Sequence, residues 1–220
     1  MAHKLAQIAD RPVTISIRKP IPLDVDLPIV IDDGTRWRLT SPNGEDILVA
    51  EAWEPTFATT TAPDPNDVLT GEANHPFRDI TNDLVPECFS CGLQPGTMGV
   101  HAGPMPDNRY ATSWTMPEWA IDNPETAEGC LWAALDCTAA WYVVASEGMR
   151  EAYTVQYAVE ILHQPLPNHT YSIVAWEGDY DRGWTGRKRG AASAAFDQNG
   201  RLVGQARSFW VAPATETETG

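Results

Sequence analysis

The chain has 220 residues, with Lys+Arg 15 against Asp+Glu 30 and a formal net charge of -15. Such an acidic chain repels nucleic-acid phosphates and anionic lipid surfaces, which argues against both as partners. A hydrophobic fraction of 43% with 9 Trp excludes disorder and supplies one large core or two small ones.

Residues 2–9 read as a short helix or the end of one. Val13 to Ile17 alternates at the strand period, and 27–31, 35–40 and 46–52 follow as short strands. Asp32-Asp33-Gly34 and Ser41-Pro42-Asn43-Gly44 are turn clusters that suit hairpins, so 1–53 reads as a small antiparallel meander. Pro55, Pro63, Pro65, Asn66 and Gly71 mark 54–74 as a linker. The second part, 75–212, opens with a turn at Cys88-Phe89-Ser90-Cys91-Gly92, and strands are expected near 97–102 and 109–116.

From Ala127 to Ala145 the chain is apolar almost all round, which predicts a buried helix. Its length approaches a membrane span, but Asp136 in the middle would be costly in a bilayer. Next, Tyr153, Val155, Tyr157, Val159 and Ile161 occupy one face of a strand, with Thr154, Gln156 and Glu160 on the other. Residues 171–176 form another strand. Residues 187–197 and 201–212 form a hairpin around Gln198-Asn199-Gly200, and the tail 213–220 is expected to fray. Strands, one buried helix, then a run of antiparallel strands make an α+β layout.

The four cysteines, Cys88, Cys91, Cys130 and Cys137, do not make a secreted disulfide framework, and the first ten residues carry no signal-peptide pattern. The expectation is a reduced, cytoplasmic protein. Cys88 and Cys91 could ligate zinc together with His75 or His101, but the familiar ligand spacing is missing. A structural turn is the preferred reading, with Cys130 and Cys137 as small core residues and no metal expected.

Four stretches together resemble the hotdog-fold acyl-CoA thioesterase superfamily. Cys88-Phe89-Ser90-Cys91-Gly92 with Pro95-Gly96 is similar to the segment leading into the family's first strand. Trp132-Ala133-Ala134-Leu135-Asp136-Cys137-Thr138-Ala139-Ala140 resembles its central helix with an embedded aspartate. Ile161-Leu162-His163-Gln164-Pro165-Leu166-Pro167 resembles its arginine-proline turn, with Gln164 where arginine is common. Residues Phe196 to Ala206 resemble its closing hairpin. The resemblance implies a curved antiparallel sheet wrapped around one long helix, about 127–145. It makes 1–53 a partial hotdog, as in tandem double-hotdog proteins, and it implies a homodimer. The ligand it implies is acyl-CoA or another acyl thioester, with coenzyme A entering only as part of the substrate and no separate cofactor. The activity it implies is thioester hydrolysis; the alternative is a non-catalytic acyl-CoA-binding module.

Asp136 is the foremost candidate for chemistry. A carboxylate in an apolar helix is costly when charged, so its pKa is expected to rise. In the family that this helix resembles, the aspartate serves as general base or nucleophile. Glu128 and Gly129 lie where many relatives carry His-Gly-Gly, and the histidine is missing here. The N–H groups near Gly129 and Cys130 are the expected oxyanion donors at the helix start. Ser193 and Gln205 are the expected polar partners of Asp136, as Thr and Gln are in the thioesterase II branch. Arg187 and Arg189, with Arg182 and Lys188, form the basic cluster expected to meet the phosphates of coenzyme A.

Overall fold

The computed structural model describes residues 1–22, 24–53, 56–57, 60–76, 88–120, 124–146, 152–178 and 186–213. Its elements in chain order are α1 (Ala2–Ala9), β1 (Val13–Ile17), β2 (Ile29–Ile31), β3 (Arg36–Thr40) and β4 (Asp46–Ala52). After α2 (Pro65–Ala73) come β5 (Gly103–Pro104), β6 (Tyr110–Thr115) and α3 (Pro124–Ser146). The chain closes with β7 (Tyr153–Ile161), β8 (Thr170–Glu177), β9 (Lys188–Phe196) and β10 (Leu202–Val211). The ten strands form one sheet in the order β2-β3-β4-β1-β7-β10-β9-β8-β6-β5.

The long helix dictates the shape of the sheet. α3 is 23 residues long and carries ten buried side chains spread around it, among them Cys130, Leu131, Trp132, Leu135 and Val143. It contacts all six strands from β7 across to β5. Six strands at about 4.8 Å spacing span about 24 Å, roughly twice the width of a helix. A sheet that keeps contact across that breadth has to curve around the helix. This is the hotdog arrangement that the sequence predicts.

The N-terminal meander extends the same sheet. β1 pairs antiparallel with β4 on one side and with β7 on the other, with Ile15 opposite Tyr157. Leu5 and Ala9 of α1 bury against this half, alongside Ile15, Trp37, Leu39 and Leu48. The strands of 1–53 and those of 75–212 are therefore one continuous sheet within one chain. Five tryptophans, Trp37, Trp114, Trp132, Trp141 and Trp210, are buried. Trp119 is 46% exposed, so it is not a core residue.

Three expectations from the sequence need correction. The span 54–74 contains a helix, α2, not linker alone. Asp64 caps it by accepting from the Asn66 N–H at 2.8 Å, and Pro65 opens the first turn. The same Asp-Pro pair that reads as a turn signal is also a helix start. The strand expected near 97–102 is reduced to Gly103–Pro104. Gly96 and Gly99 hold φ of 92° and 70°, which breaks an extended run. The third correction concerns β7. Gln156 faces Phe209 while Thr154 faces Trp210, so Val155 is an extra residue in the pairing. This bulge resets the alternation: Tyr153 is 60% exposed, whereas Thr154 turns to the same side as Tyr157. Residues 214–220 of the tail, Arg182 and Trp184 lie outside the described residues.

α2 covers the sheet face opposite α3, with Val68 packed on Met105, Ala111, Val174, Ala194 and Phe196. Its approach depends on glycine: a Cβ on Gly71 would lie 2.8 Å from the Gly103 carbonyl oxygen and 3.1 Å from that of Ala111. Neither contact is with a flexible side chain that could yield. Gly71→Ala is therefore expected to destabilise the fold by about 1–3 kcal/mol in chemical denaturation, whereas the same change at an exposed helical glycine stabilises by about 0.5–1 kcal/mol.

Candidate active site

The candidate site forms where α3 crosses β7. The two elements are fastened by side chains of β7 that donate to one turn of the helix. Tyr157 Oη donates to the Trp132 carbonyl at 2.8 Å, and Thr154 Oγ1 donates to Asp136 Oδ1 at 3.2 Å. Trp132 and Asp136 are four residues apart and so lie on one face of the helix. Thr154 reaches Asp136 because of the bulge at Val155. Strict alternation along β7 would point Thr154 to the opposite side.

Protein atoms crowd the Asp136 carboxyl, though the residue retains some accessible surface. That desolvation pushes its pKa up to about 7; the Thr154 hydroxyl opposes the shift and the nearby Cys88 sulfur adds to it. A carboxyl poised near neutrality can both accept and return a proton.

The sequence does not single out Thr154, and the two partners it points to, Ser193 and Gln205, lie elsewhere. Ser193 is buried beneath α3, where its Oγ donates to the Leu135 carbonyl at 2.9 Å and not to the aspartate. Gln205 donates to Glu160 Oε2 at 2.6 Å. It stands opposite Glu160 in the β7–β10 pairing, on the sheet face away from the helix. The neighbouring pair Ala206 and Val159 faces the core. Facing strands alone do not set which side a residue takes.

The expected oxyanion donors are also corrected. The helix begins at Pro124, not at Ala127. Its free N–H groups belong to the first turn, while those of Gly129 and Cys130 fall in the i→i−4 ladder. Cys130 is buried in the main core, where desolvation pushes its thiol up to about 11. Glu128 instead faces α1. Its Oε2 lies 3.2 Å from His3 Nε2, and Lys4 pairs with Glu125 one turn earlier. Burial lowers the pKa of His3, with the Glu128 carboxylate opposing. His3 also packs on Gly129 and on the Trp132 ring, so α1 brings a histidine to the turn where the sequence lacks one. His3, Glu128, Trp132, His163 and Gln164 line an open groove of about 560 Å³. Glu128 is two helical turns from Asp136, about 12 Å along the axis.

Arg187 and Arg189 flank the start of β9. Arg187 Nη1 donates to the Ala212 carbonyl at 2.8 Å, and Arg189 Nη1 donates to those of Gly186 and Lys188 at 2.6 and 2.8 Å. Arg189 pairs with Trp210, which pairs with Thr154, so the three form one row across β9, β10 and β7. Directly opposed residues share a face, and two strand spacings separate Arg189 from Thr154 by about 10 Å.

The cysteines form the remaining cluster near the site. The sulfurs of Cys88, Cys91 and Cys137 all lie within 4.8 Å of one another. Hydrogen bonding from the other two thiols lowers the pKa of Cys88, and the thiols of Cys91 and Cys137 shift upward.

No family model matches the sequence, and no curated protein matches it. Solved structures do match. The chain superposes on the TesB protein of Mycobacterium avium subspecies paratuberculosis with a TM-score of 0.55 at 14% identity, over 97% of this chain and 85% of that one. It superposes on acyl-CoA thioesterase II TesB2 from Mycobacterium marinum with a TM-score of 0.53 at 12% identity, over 94% and 81%. The chain thus shares the hotdog fold of these structures, and the likeness spans both halves of the sheet. Among the described residues, no helix is long and apolar enough to cross a membrane.

The raised pKa of Asp136 has a thermodynamic consequence. An unfolded aspartate ionises near 3.8, while the folded one holds its proton to about 7. The folded state therefore binds more protons between these values, and stability falls as pH rises through that window. In EDTA-containing buffer, Asp136→Asn is expected to melt at the same temperature as the parent below pH 3.8. It should gain over the parent from there to pH 7 and hold a constant lead above pH 7. Equal melting temperatures at pH 8 would show that the carboxyl is not desolvated.

Proposed function

We propose that the chain hydrolyses an acyl-CoA or a related acyl thioester, with Asp136 as general base. The observation that carries this reading is the Asp136–Thr154 pair at the crossing of α3 and the β7 bulge. The fold supports it, since solved proteins of the same fold include one described as an acyl-CoA thioesterase. In this reading the ionised carboxylate takes a proton from a water held beside the Asp136–Thr154 pair. The water oxygen bonds to the thioester carbon, and the carbonyl electron pair moves onto oxygen. Collapse of that intermediate breaks the carbon–sulfur bond, and Asp136 returns its proton to the departing thiolate. The products are the carboxylic acid and free thiol. Arg189, on the row leading away from Thr154, and Arg187 just before β9 would receive the phosphates of the carrier.

A second reading is a non-catalytic acyl-CoA-binding module. It is favoured by the commitment of the Gly129 and Cys130 N–H groups to the helix ladder. One experiment separates the two. A panel of acyl-CoA thioesters is scanned for thiol release, and binding of the same compounds is followed by calorimetry. Hydrolysis by the parent chain, lowered about 100-fold or more in Asp136→Asn with binding retained, is the expected result. Thr154→Val should lower kcat by about ten-fold with little change in KM, and Arg189→Ala should raise KM with kcat retained. Saturable binding without any thiol release would favour the binding module. Absence of both would remove each reading.

A further inference from the structure

Three of the four cysteines converge from two separate parts of the fold. Cys88 and Cys91 sit on the tight turn at 88–92, and Cys137 sits on α3. Cys88 and Cys137 are 49 positions apart in sequence, yet their sulfurs are 4.0 Å apart. With Cys91 they form a triangle whose corners all lie within 4.8 Å of one another. Cys130 is on the same helix but belongs to the main core, away from this cluster.

The spacing distinguishes the chemistry open to these thiols. A disulfide joins two sulfurs at about 2.0 Å and leaves the third without a role. A shared ion uses all three: metal–sulfur bonds of about 2.3 Å place sulfurs about 3.8 Å apart around a tetrahedron. The turn is also built to hold its sulfurs in place. The Gly92 N–H donates to the Cys88 carbonyl at 2.8 Å, and the Cys91 N–H points at Cys88 Sγ at 3.4 Å. Donors of this kind orient a thiolate and offset its charge. The turn docks on α3 without help from the thiols, through Ser90 Oγ donating to the Ala133 carbonyl at 3.1 Å. The Val100 N–H donating to the Ser90 carbonyl at 2.9 Å braces it from the other side. Both segments are thus positioned before any ion arrives. The histidines that the sequence offers as co-ligands are engaged elsewhere in part: His75 Nδ1 lies 2.7 Å from the Ala102 carbonyl oxygen, and its ring packs against Trp141 and His101.

We propose that Cys88, Cys91 and Cys137 form a three-thiolate site for one zinc-class d10 cation. Soft thiolate ligands select such ions over magnesium or calcium. The ion clamps the 88–92 turn to α3 at the residue next to Asp136. This site does not depend on the hydrolase reading, because its ligands and its readout are separate from thioester turnover.

The test uses the full chain, purified under reductant, stripped with EDTA and titrated with cobalt(II). The expected result is the intense visible absorption of tetrahedral thiolate coordination, saturating at one cobalt per chain and bleached by zinc. Zinc should also raise the melting temperature. Cys88→Ser and Cys137→Ser should each weaken cobalt binding roughly ten-fold or more, while Cys130→Ser, on the same helix, retains it. Circular dichroism confirms that each variant is folded. A folded parent chain that gives no stoichiometric thiolate–cobalt spectrum would overturn the proposal. So would a spectrum that survives Cys137→Ser, or one lost equally in folded Cys130→Ser.

Discussion

The burial of α3 is the constraint on which the rest of the structure depends. A helix apolar on every side needs cover on every side, and a flat sheet can cover only one. Six strands curve around it, α1 closes one end, and the 88–92 turn closes another flank. Asp136 is the one charge-bearing side chain in the middle of this helix. Its position makes the carboxyl reluctant to ionise, and that reluctance is what a proton-transfer group near neutral pH requires.

The bulge in β7 turns that buried carboxyl into a candidate site. Without Val155 as an extra residue, β7 would present Thr154 to the far face of the sheet. With it, Thr154 and Tyr157 both face α3 and hold Asp136 and Trp132 from the same strand. The same strand joins the two halves of the sheet through β1. Packing of the N-terminal half and aim of the candidate base are therefore mechanically linked. The His3–Glu128 contact between α1 and α3 adds a second link at the start of the helix.

Much of this architecture is legible in the residues. The apolar run from Gly129 onward announces the buried helix, and Asp136 stands out because nothing else in that run is charged. The β9–β10 hairpin follows from Gln198-Asn199-Gly200 between two regular strands. What escapes sequence reading is mostly a matter of facing. Alternation places Thr154 on the wrong side because a bulge leaves no mark in a period-two pattern. Gln205 and Ser193 look equivalent on adjacent strands, but one faces outward and the other lies under the helix. Cys137 reads as a small core residue, since its proximity to Cys88 and Cys91 is set by the docking of a distant turn. The helix α2 is hidden for another reason: Asp64-Pro65 serves equally as a turn and as a helix start.

The central claim is that thioester chemistry takes place at the Asp136–Thr154 pair. A crystal structure with a non-hydrolysable acyl-CoA analogue tests it most directly. The carbonyl carbon of the analogue is expected within reach of a water held by Asp136 and Thr154, with the phosphates toward Arg187 and Arg189. An analogue seated instead in the groove of His3 and Glu128, two helical turns away, would contradict it.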